Sequence, residues 1–333
     1  MKCKNAFMVW CMATNGGAGE ENKCCLCGGS VLPPLADVAD SLTGDRFSIA
    51  RCSQCGVGQT VPSPDDLGRF YRSYHGNRHG ITAGYRIWRR IRLLKRIAGD
   101  GRGKRLLDVG CGDGGFLRAA QRLGWQVSGT ELEPQQARSL GLDVRAEIDD
   151  FRASEKFDCV TFWHSLEHLP RPHEALRQAR ERLQPGGVLL VSVPDAGGWQ
   201  ARLFGRHWLH LDVPRHLFHF NRPSLARLLE TTGFVLVGHW HHEIEYDLIG
   251  WSQSALNLVA AEPNIFLHSL IRRPVRAGRA ARATHLVLGA ILSGAALPLV
   301  AVSSCLGRGG TLIVAAKPVA SVPDAGTMEP ETS

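Results

Sequence analysis

Arg105-Leu-Leu-Asp108-Val-Gly110-Cys-Gly112-Asp-Gly114-Gly115-Phe116 is the stretch on which the reading of this chain turns. A short apolar strand runs into a glycine-rich turn that opens a helix, so backbone can approach a ligand and helix N–H groups point at it. Gly110, Gly112 and Gly115 satisfy the dinucleotide fingerprint, a pattern shared by several kinds of nucleoside site. Asp108 separates them. A carboxylate two residues before the first glycine sits poorly beside a pyrophosphate, and suits a ligand bearing a cationic amino group and a sulfonium. Glu131, ending the next strand (Val127-Ser-Gly-Thr-Glu131-Leu132), is placed to accept the hydroxyls of a ribose.

Outward from this loop the pattern alternates strand and helix from Lys104 onward, which predicts a parallel α/β sheet with crossover helices. Strands are expected at 105–109, 126–130, 143–146, 157–162, 188–193, 234–240 and 311–315. Helices are expected at 115–123, 135–140, 173–183 and 222–232. The catalytic unit then spans 104–317, with an insertion at 241–308 and a polar tail, 318–333, of disordered composition.

Seven of the ten cysteines crowd the first sixth of the chain: Cys3, Cys11, Cys24, Cys25, Cys27, Cys52 and Cys55. Cys24-x-x-Cys27 and Cys52-x-x-Cys55 stand about 24 residues apart, a spacing that suits one tetrahedral zinc ion held by two knuckles. Gly28 and Gly56 follow the knuckles and permit their tight turns. Cys25 could replace a neighbour, but the two-residue gap favours Cys24 and Cys27. Four thiolates leave no open position for water, so the ion is expected to be structural. This ribbon occupies 24–60, after a leader at 1–23, and a helical linker covers 61–103. The leader faintly resembles a signal peptide but lacks a clear cleavage site, so a cytoplasmic location is expected, with Met12 an alternative start.

Leu107-Asp-Val-Gly-Cys-Gly-Asp-Gly114, Glu131, Phe157-Asp-Cys-Val-Thr161 and Leu183-Gln-Pro-Gly-Gly-Val188 together resemble class I S-adenosylmethionine-dependent methyltransferases. Trp163-His-Ser-Leu-Glu-His168, Phe204-Gly-Arg-His-Trp208 and Pro214-Arg-His-Leu-Phe-His-Phe220 extend the resemblance to the zinc-ribbon-bearing subgroup. That subgroup includes sugar C-methyltransferases and is related to ubiquinone-type O-methyltransferases. The resemblance implies a Rossmann-like sheet of seven strands, mostly parallel, with the last antiparallel. It also implies that Gly110, Cys111, Gly112 and Gly114 line the methionine part of S-adenosylmethionine, with Asp108 near its amino group. Glu131 and Leu132 would meet the ribose, Glu147 or Ile148 would flank the adenine, and Trp163 or His164 would close over the cofactor. Tyr71 and Tyr74 resemble aromatic residues that cover substrate in sugar-modifying relatives, and as plain helix packing they are equally sensible.

Methyl transfer needs orientation above all, and a base only when the acceptor must lose a proton. His168 is the first candidate base, with Glu167 beside it; His216 follows, and His219 is a candidate substrate contact or a packing residue. His164-x-x-Glu-His168 also spells an inverted zinc-protease motif. Pro170 and Pro172 interrupt the helix that such a site needs.

A net charge of +8 fits a phosphorylated substrate, an anionic membrane surface or nucleic acid without choosing among them. Within the insertion, 271–282 is strongly basic and 286–306 is almost uncharged, long enough to span a bilayer. The following strand must return to the same sheet, and Pro298 disfavours a straight span. A bent helical pair is therefore expected, either completing the core or dipping into one leaflet with arginines on lipid phosphates. The partner expected is a small-molecule acceptor: a sugar, a quinone-like compound or a lipid-linked compound. An RNA methyltransferase would use Arg86, Arg89, Arg90, Arg92, Lys95 and Arg96 as a phosphate track, but strand four lacks the Asn/Asp-Pro-Pro-aromatic signature, and nucleic acid is not the expected partner. A non-catalytic binding module is the remaining alternative; the oligomeric state is not encoded legibly.

Overall fold

The computed structural model describes residues 23–24, 26–64, 66–71 and 82–319. Tyr74, Cys25, the leader to residue 22 and the tail from 320 lie outside them. Eleven strands appear among the described residues: β1 (Val31–Ala39), β2 (Arg46–Cys52), β3 (Gly58–Val61), β4 (Arg105–Val109), β5 (Gln126–Thr130), β6 (Asp143–Arg145), β7 (Phe157–Trp163), β8 (Leu183–Pro194), β9 (Phe218–His219), β10 (Phe234–Trp240) and β11 (Thr311–Pro318).

The large sheet has seven strands in the order β10-β11-β8-β7-β4-β5-β6, with β11 antiparallel to both neighbours. Its central strands β4, β7, β8 and β11 are buried along most of both faces, as strands under crossover helices must be, whereas the edge strand β10 exposes Val235 and Val237. Period-two alternation sends Leu107 and Val109 to one core and Leu106 to the other. The first core lies under the helices Pro172–Arg182 and Arg222–Thr231; the second lies under Ala83–Ala98 and Gly115–Gln121. Asn221 caps the helix Arg222–Thr231 in a reciprocal box with Ser224, and Pro223 occupies a position where its missing N–H costs nothing. The chain leaves β4 toward β5 and β6, then doubles back to β7 and β8. The cleft above the carboxyl ends of β4 and β7 is therefore the switch point at which such sheets bind ligands.

The ribbon is not a separate bead. Its small sheet runs β1-β2-β3-β9, and β9 belongs to the segment between β8 and β10. Gly58 pairs with His219 and Gln59 with Phe218. Arg215, 1% exposed, bridges the same junction by donating to Asp40 at 2.6 Å and Asp212 at 2.7 Å.

The insertion departs from the expected bent pair. Helices Ile244–Asn257 and Ile265–Leu270 precede one continuous helix, Arg279–Cys305, with Pro298 inside it. Small residues on one face allow close packing: a side chain at Gly289 would collide with the Phe266 ring, and Ser293 donates to Ser252 Oγ at 3.0 Å. Pro298 falls on the opposite, exposed face, where its missing hydrogen bond leaves no buried carbonyl orphaned. Ala296 and Val300 join Phe47, Ile49, Trp208 and Trp251 in a third core that ties the insertion to the ribbon sheet. Val287, Ile291 and Val302 stay outside, at 60%, 61% and 49% exposed.

Candidate active site

The glycine turn leaves β4 at the switch point. Gly110 and Cys111 donate their backbone N–H groups to the Thr130 carbonyl, both at 2.9 Å, which fastens the turn to the end of β5. A Cβ at Gly110 would lie 2.6 Å from Ser165, so only glycine lets the loop after β7 close in. At Gly112, φ is +59° and a Cβ would meet nothing within 4 Å. That combination is a bare backbone facing open space, the requirement of a ligand cradle. Gly112 donates to Glu131 Oε2 at 2.7 Å and Leu132 to Oε1 at 2.9 Å, so the carboxylate is held in place with lone pairs to spare. Leu132 is 81% exposed beside it. Glu147 is exposed and caps the short turn Ile148–Asp150, while Ile148 is buried.

Asp108 is 3% exposed and accepts from Thr161 Oγ1 at 2.6 Å. Burial pushes its carboxyl up to about 7; the Thr161 hydrogen bond and the Arg90 charge act the other way. Trp163 is buried edge-on to Phe116, with the Arg90 guanidinium 4.9 Å above its ring. Its Nε1–H has no hydrogen-bond partner among the described residues.

His164 has φ +53°, an uncommon conformation for a residue with a side chain. Its ring stacks on Tyr246 at 4.4 Å, and Nε2 bonds to Glu243. Burial opposes charge on this imidazole, but Glu243, Tyr246 and Glu167 prevail and raise it to about 10. Glu243 also meets Arg89 at 2.9 Å and Arg90 at 3.8 Å. The sequence reading missed Glu243 and Tyr246; their signal was the acidic run Glu243-Ile-Glu-Tyr-Asp247 immediately after β10, too polar to begin an ordinary buried helix.

His168, His216 and Glu167 converge on one point. His168 Nδ1 lies 2.9 Å from the Arg215 carbonyl, and His216 Nδ1 lies 2.8 Å from the His210 carbonyl. A carbonyl only accepts, so each Nδ1 carries a proton, and on a neutral His168 the lone pair is at Nε2. Tyr71 Oη sits 2.9 Å from His168 Nδ1 as well. The Glu167 carboxylate is 1% exposed, and neither oxygen is hydrogen-bonded among the described residues; His164 Nδ1 is 3.6 Å away and His216 Nε2 4.0 Å. Ligand atoms of Glu167, His168 and His216 lie within 4.8 Å of one another. Facing acceptors of this kind require a shared proton or a cation between them. Burial, then the His216 charge, lowers His168 to about 4, so its ring is neutral at physiological pH. His219 is placed elsewhere. It pairs with Gly58 in the ribbon seam, 3.0 Å from Thr60 Oγ1, and burial lowers it to about 3.

Cys24, Cys27, Cys52 and Cys55 gather at the far end of the ribbon. Cys24 and Cys55 sulfurs are 3.6 Å apart, Cys27 and Cys52 3.5 Å, and all four lie within 4.8 Å. Zinc–thiolate bonds of about 2.3 Å at tetrahedral angles place sulfurs ~3.8 Å apart, so the cage fits that ion. Leu26 and Gln54 donate backbone N–H groups to Cys24 and Cys52 Sγ, both at 3.4 Å, the same bond in each knuckle. Burial raises the Cys27 and Cys55 thiols, and a bound cation is what reverses such a shift.

Residues 82–239 match the family model described as a methyltransferase domain. Among relatives, a ubiquinone biosynthesis O-methyltransferase of Xanthomonas campestris pv. campestris (strain B100) is 32% identical over 147 residues, covering 39% of this chain and 62% of that protein. Another of the same description, from Xanthomonas oryzae pv. oryzae (strain PXO99A), is 33% identical over 132 residues, 35% of this chain and 55% of its own. The chain thus spans less than two thirds of the length of these relatives. An S-adenosylmethionine-dependent methyltransferase from Archaeoglobus fulgidus superposes with a TM-score of 0.42 at 16% identity, covering 71% of this chain and 97% of that one.

Proposed function

We propose that this chain, whose residues 82–239 match a methyltransferase domain, is a class I methyltransferase that transfers a methyl group from S-adenosylmethionine to a small-molecule acceptor. The observation that carries the reading is the Gly112 turn held to the Glu131 carboxylate, open to a ligand and backed by buried Asp108. Bound S-adenosylmethionine supplies an activated methyl carbon. The protein's residues do the rest: Asp108 favours the amino group, Glu131 receives ribose hydroxyls, and Trp163 and His164 wall off water.

His168 is suited to take a proton from the acceptor. Its ring is neutral, its Nε2 carries the lone pair, and the Arg215 carbonyl fixes its tautomer. Glu167 stabilises the positive charge that results, and Tyr71 covers the ring from above the ribbon. The relatives act in ubiquinone biosynthesis, which favours a phenolic acceptor hydroxyl over a sugar or lipid-linked one. Zinc in the four-cysteine cage holds the ribbon and takes no part in this chemistry.

Calorimetry of the full chain with S-adenosylhomocysteine and with NAD tests the cofactor. Binding of the first alone is expected; binding of NAD alone would overturn the proposal. Transfer of labelled methyl to a catechol-type acceptor, lost with His168→Ala at unchanged S-adenosylhomocysteine affinity, tests the base.

The helix Arg279–Cys305 supports a second reading concerning place of action. β10 and β11 are sheet neighbours, so both ends of the insertion meet at one edge and a single crossing is topologically closed. An apolar outer face beside Arg272, Arg276 and Arg282 suits a helix lying in the plane of an anionic bilayer. Pelleting with phosphatidylglycerol vesicles at low salt is expected, and its absence would end this reading.

A further inference from the structure

Beyond the carboxyl ends of β8 and β10, and ahead of the start of β11, lies a cavity of about 770 Å³. It opens on the same edge of the sheet as the glycine turn, but over the opposite half. Arg202, Arg222 and Arg308 line it, one from each of three segments. None of the three has a carboxylate partner among the described residues, whereas Arg215, Arg89 and Arg145 elsewhere all do. The one carboxylate in the wall, Asp195, is already engaged: His241 Nε2 is 3.0 Å from Oδ2, and the Gly197 N–H donates to Oδ1 at 2.8 Å. His239 also lines the wall, held below the usual imidazole range by burial and then by the Arg222 charge. The wall therefore carries three guanidinium groups against one carboxylate, Asp195, an excess of positive charge.

We infer that this cavity is a binding site for a phosphate-bearing ligand, distinct from the methyl-donor cradle. Guanidinium forks match phosphate oxygens two at a time, and separate segments of the fold aim three of them at one space. A volume of about 770 Å³ is several times that of a phosphate group, so the anion is one end of a larger molecule. Trp240 and Leu306 supply apolar wall for the remainder. The inference does not depend on the methyl-transfer reading, because it uses neither the glycine turn nor the His168 cluster.

The phosphate could belong to a soluble metabolite or to a lipid headgroup, and one experiment separates the sources. The full chain is titrated with inorganic pyrophosphate at low salt, and pelleted with vesicles of phosphatidylglycerol or phosphatidylcholine. The same is done for Arg222→Ala/Arg308→Ala, and for Arg227→Ala as a charge control on the same helix but outside the cavity. All three side chains are exposed, so folding is not at stake, and S-adenosylhomocysteine affinity should stay within twofold throughout. A loss of at least tenfold in pyrophosphate affinity, confined to the double variant, supports the site with a soluble source. A matching loss of phosphatidylglycerol pelleting supports it with a lipid source. If neither probe binds, or binding is as strong in the double variant as in Arg227→Ala, the inference fails. Arg202→Glu gives an independent second variant with the same expected direction.

Discussion

Thr161 Oγ1 donates to Asp108 Oδ1 across 2.6 Å, joining β7 to β4 at the point where the sheet reverses direction. Burial lifts the Asp108 carboxyl from an ordinary 3.8 to about 7, so the folded chain keeps a proton that the unfolded chain has lost. Stability contributed by this group accordingly falls as pH rises from about 4 to 7. A cationic amino group beside it favours ionisation. Affinity for S-adenosylhomocysteine should therefore rise between pH 6 and 8, and Asp108→Asn should flatten that slope. Thr161→Val should cost about 1–3 kcal/mol of stability by stripping the carboxylate of its donor. Calorimetry across pH checks the first expectation and thermal melts the second.

Glu243 holds His164 charged. Glu243→Gln should return the His164 titration from about 10 toward the ordinary imidazole range, visible in its ring NMR signals. Arg89 and Arg90 would lose a buried counter-charge, and breaking such a pair costs about 3–5 kcal/mol. An unshifted His164 titration would mean that Tyr246 and Glu167 suffice.

Zinc content should be one ion per chain, and Cys27→Ser should release it. Because β3 is paired to β9, loss of the metal should also loosen Phe218 and His219. Amide hydrogen exchange at these two residues should speed up on chelation. Unchanged protection there would show that the seam holds without the ion.

Acid should destabilise the fold early. Burial holds His168, His210 and His268 at about 4, and His219 at about 3, below their unfolded value near 6.5. The unfolded chain gains protons that the folded chain refuses, so stability falls as pH drops from about 6.5 toward 4. The melting temperature should decline across that window, and His219→Phe, which removes one such group, should reduce the slope.

The seven-stranded sheet was legible because each strand and helix from 104 onward carries its own period, and because Gly110 to Gly114 can be read without neighbours. The four ribbon cysteines were legible from spacing alone. β9 was not: two residues, Phe218 and His219, have no period, and their pairing with β3 spans some 160 positions. Glu243 and Tyr246 escaped for a related reason. Their partner His164 lies 79 residues from Glu243 and 82 from Tyr246, and nothing local marks an acid as buried rather than solvated. The long helix Arg279–Cys305 was misread as bent because Pro298 counts against a helix in isolation, while its place on an exposed face is a tertiary fact.

Because β9, from the segment that links β8 to β10, completes the ribbon sheet, the boundary suggested by similarity, at residue 82, is not a place where this molecule can be divided. A chain starting there would strip Leu217, Phe218 and Phe220 of cover and leave an unpaired edge competent to recruit strangers. Such a fragment should clump rather than dissolve. The four-cysteine cap behaves, in effect, as an obligate lid nailed to its box.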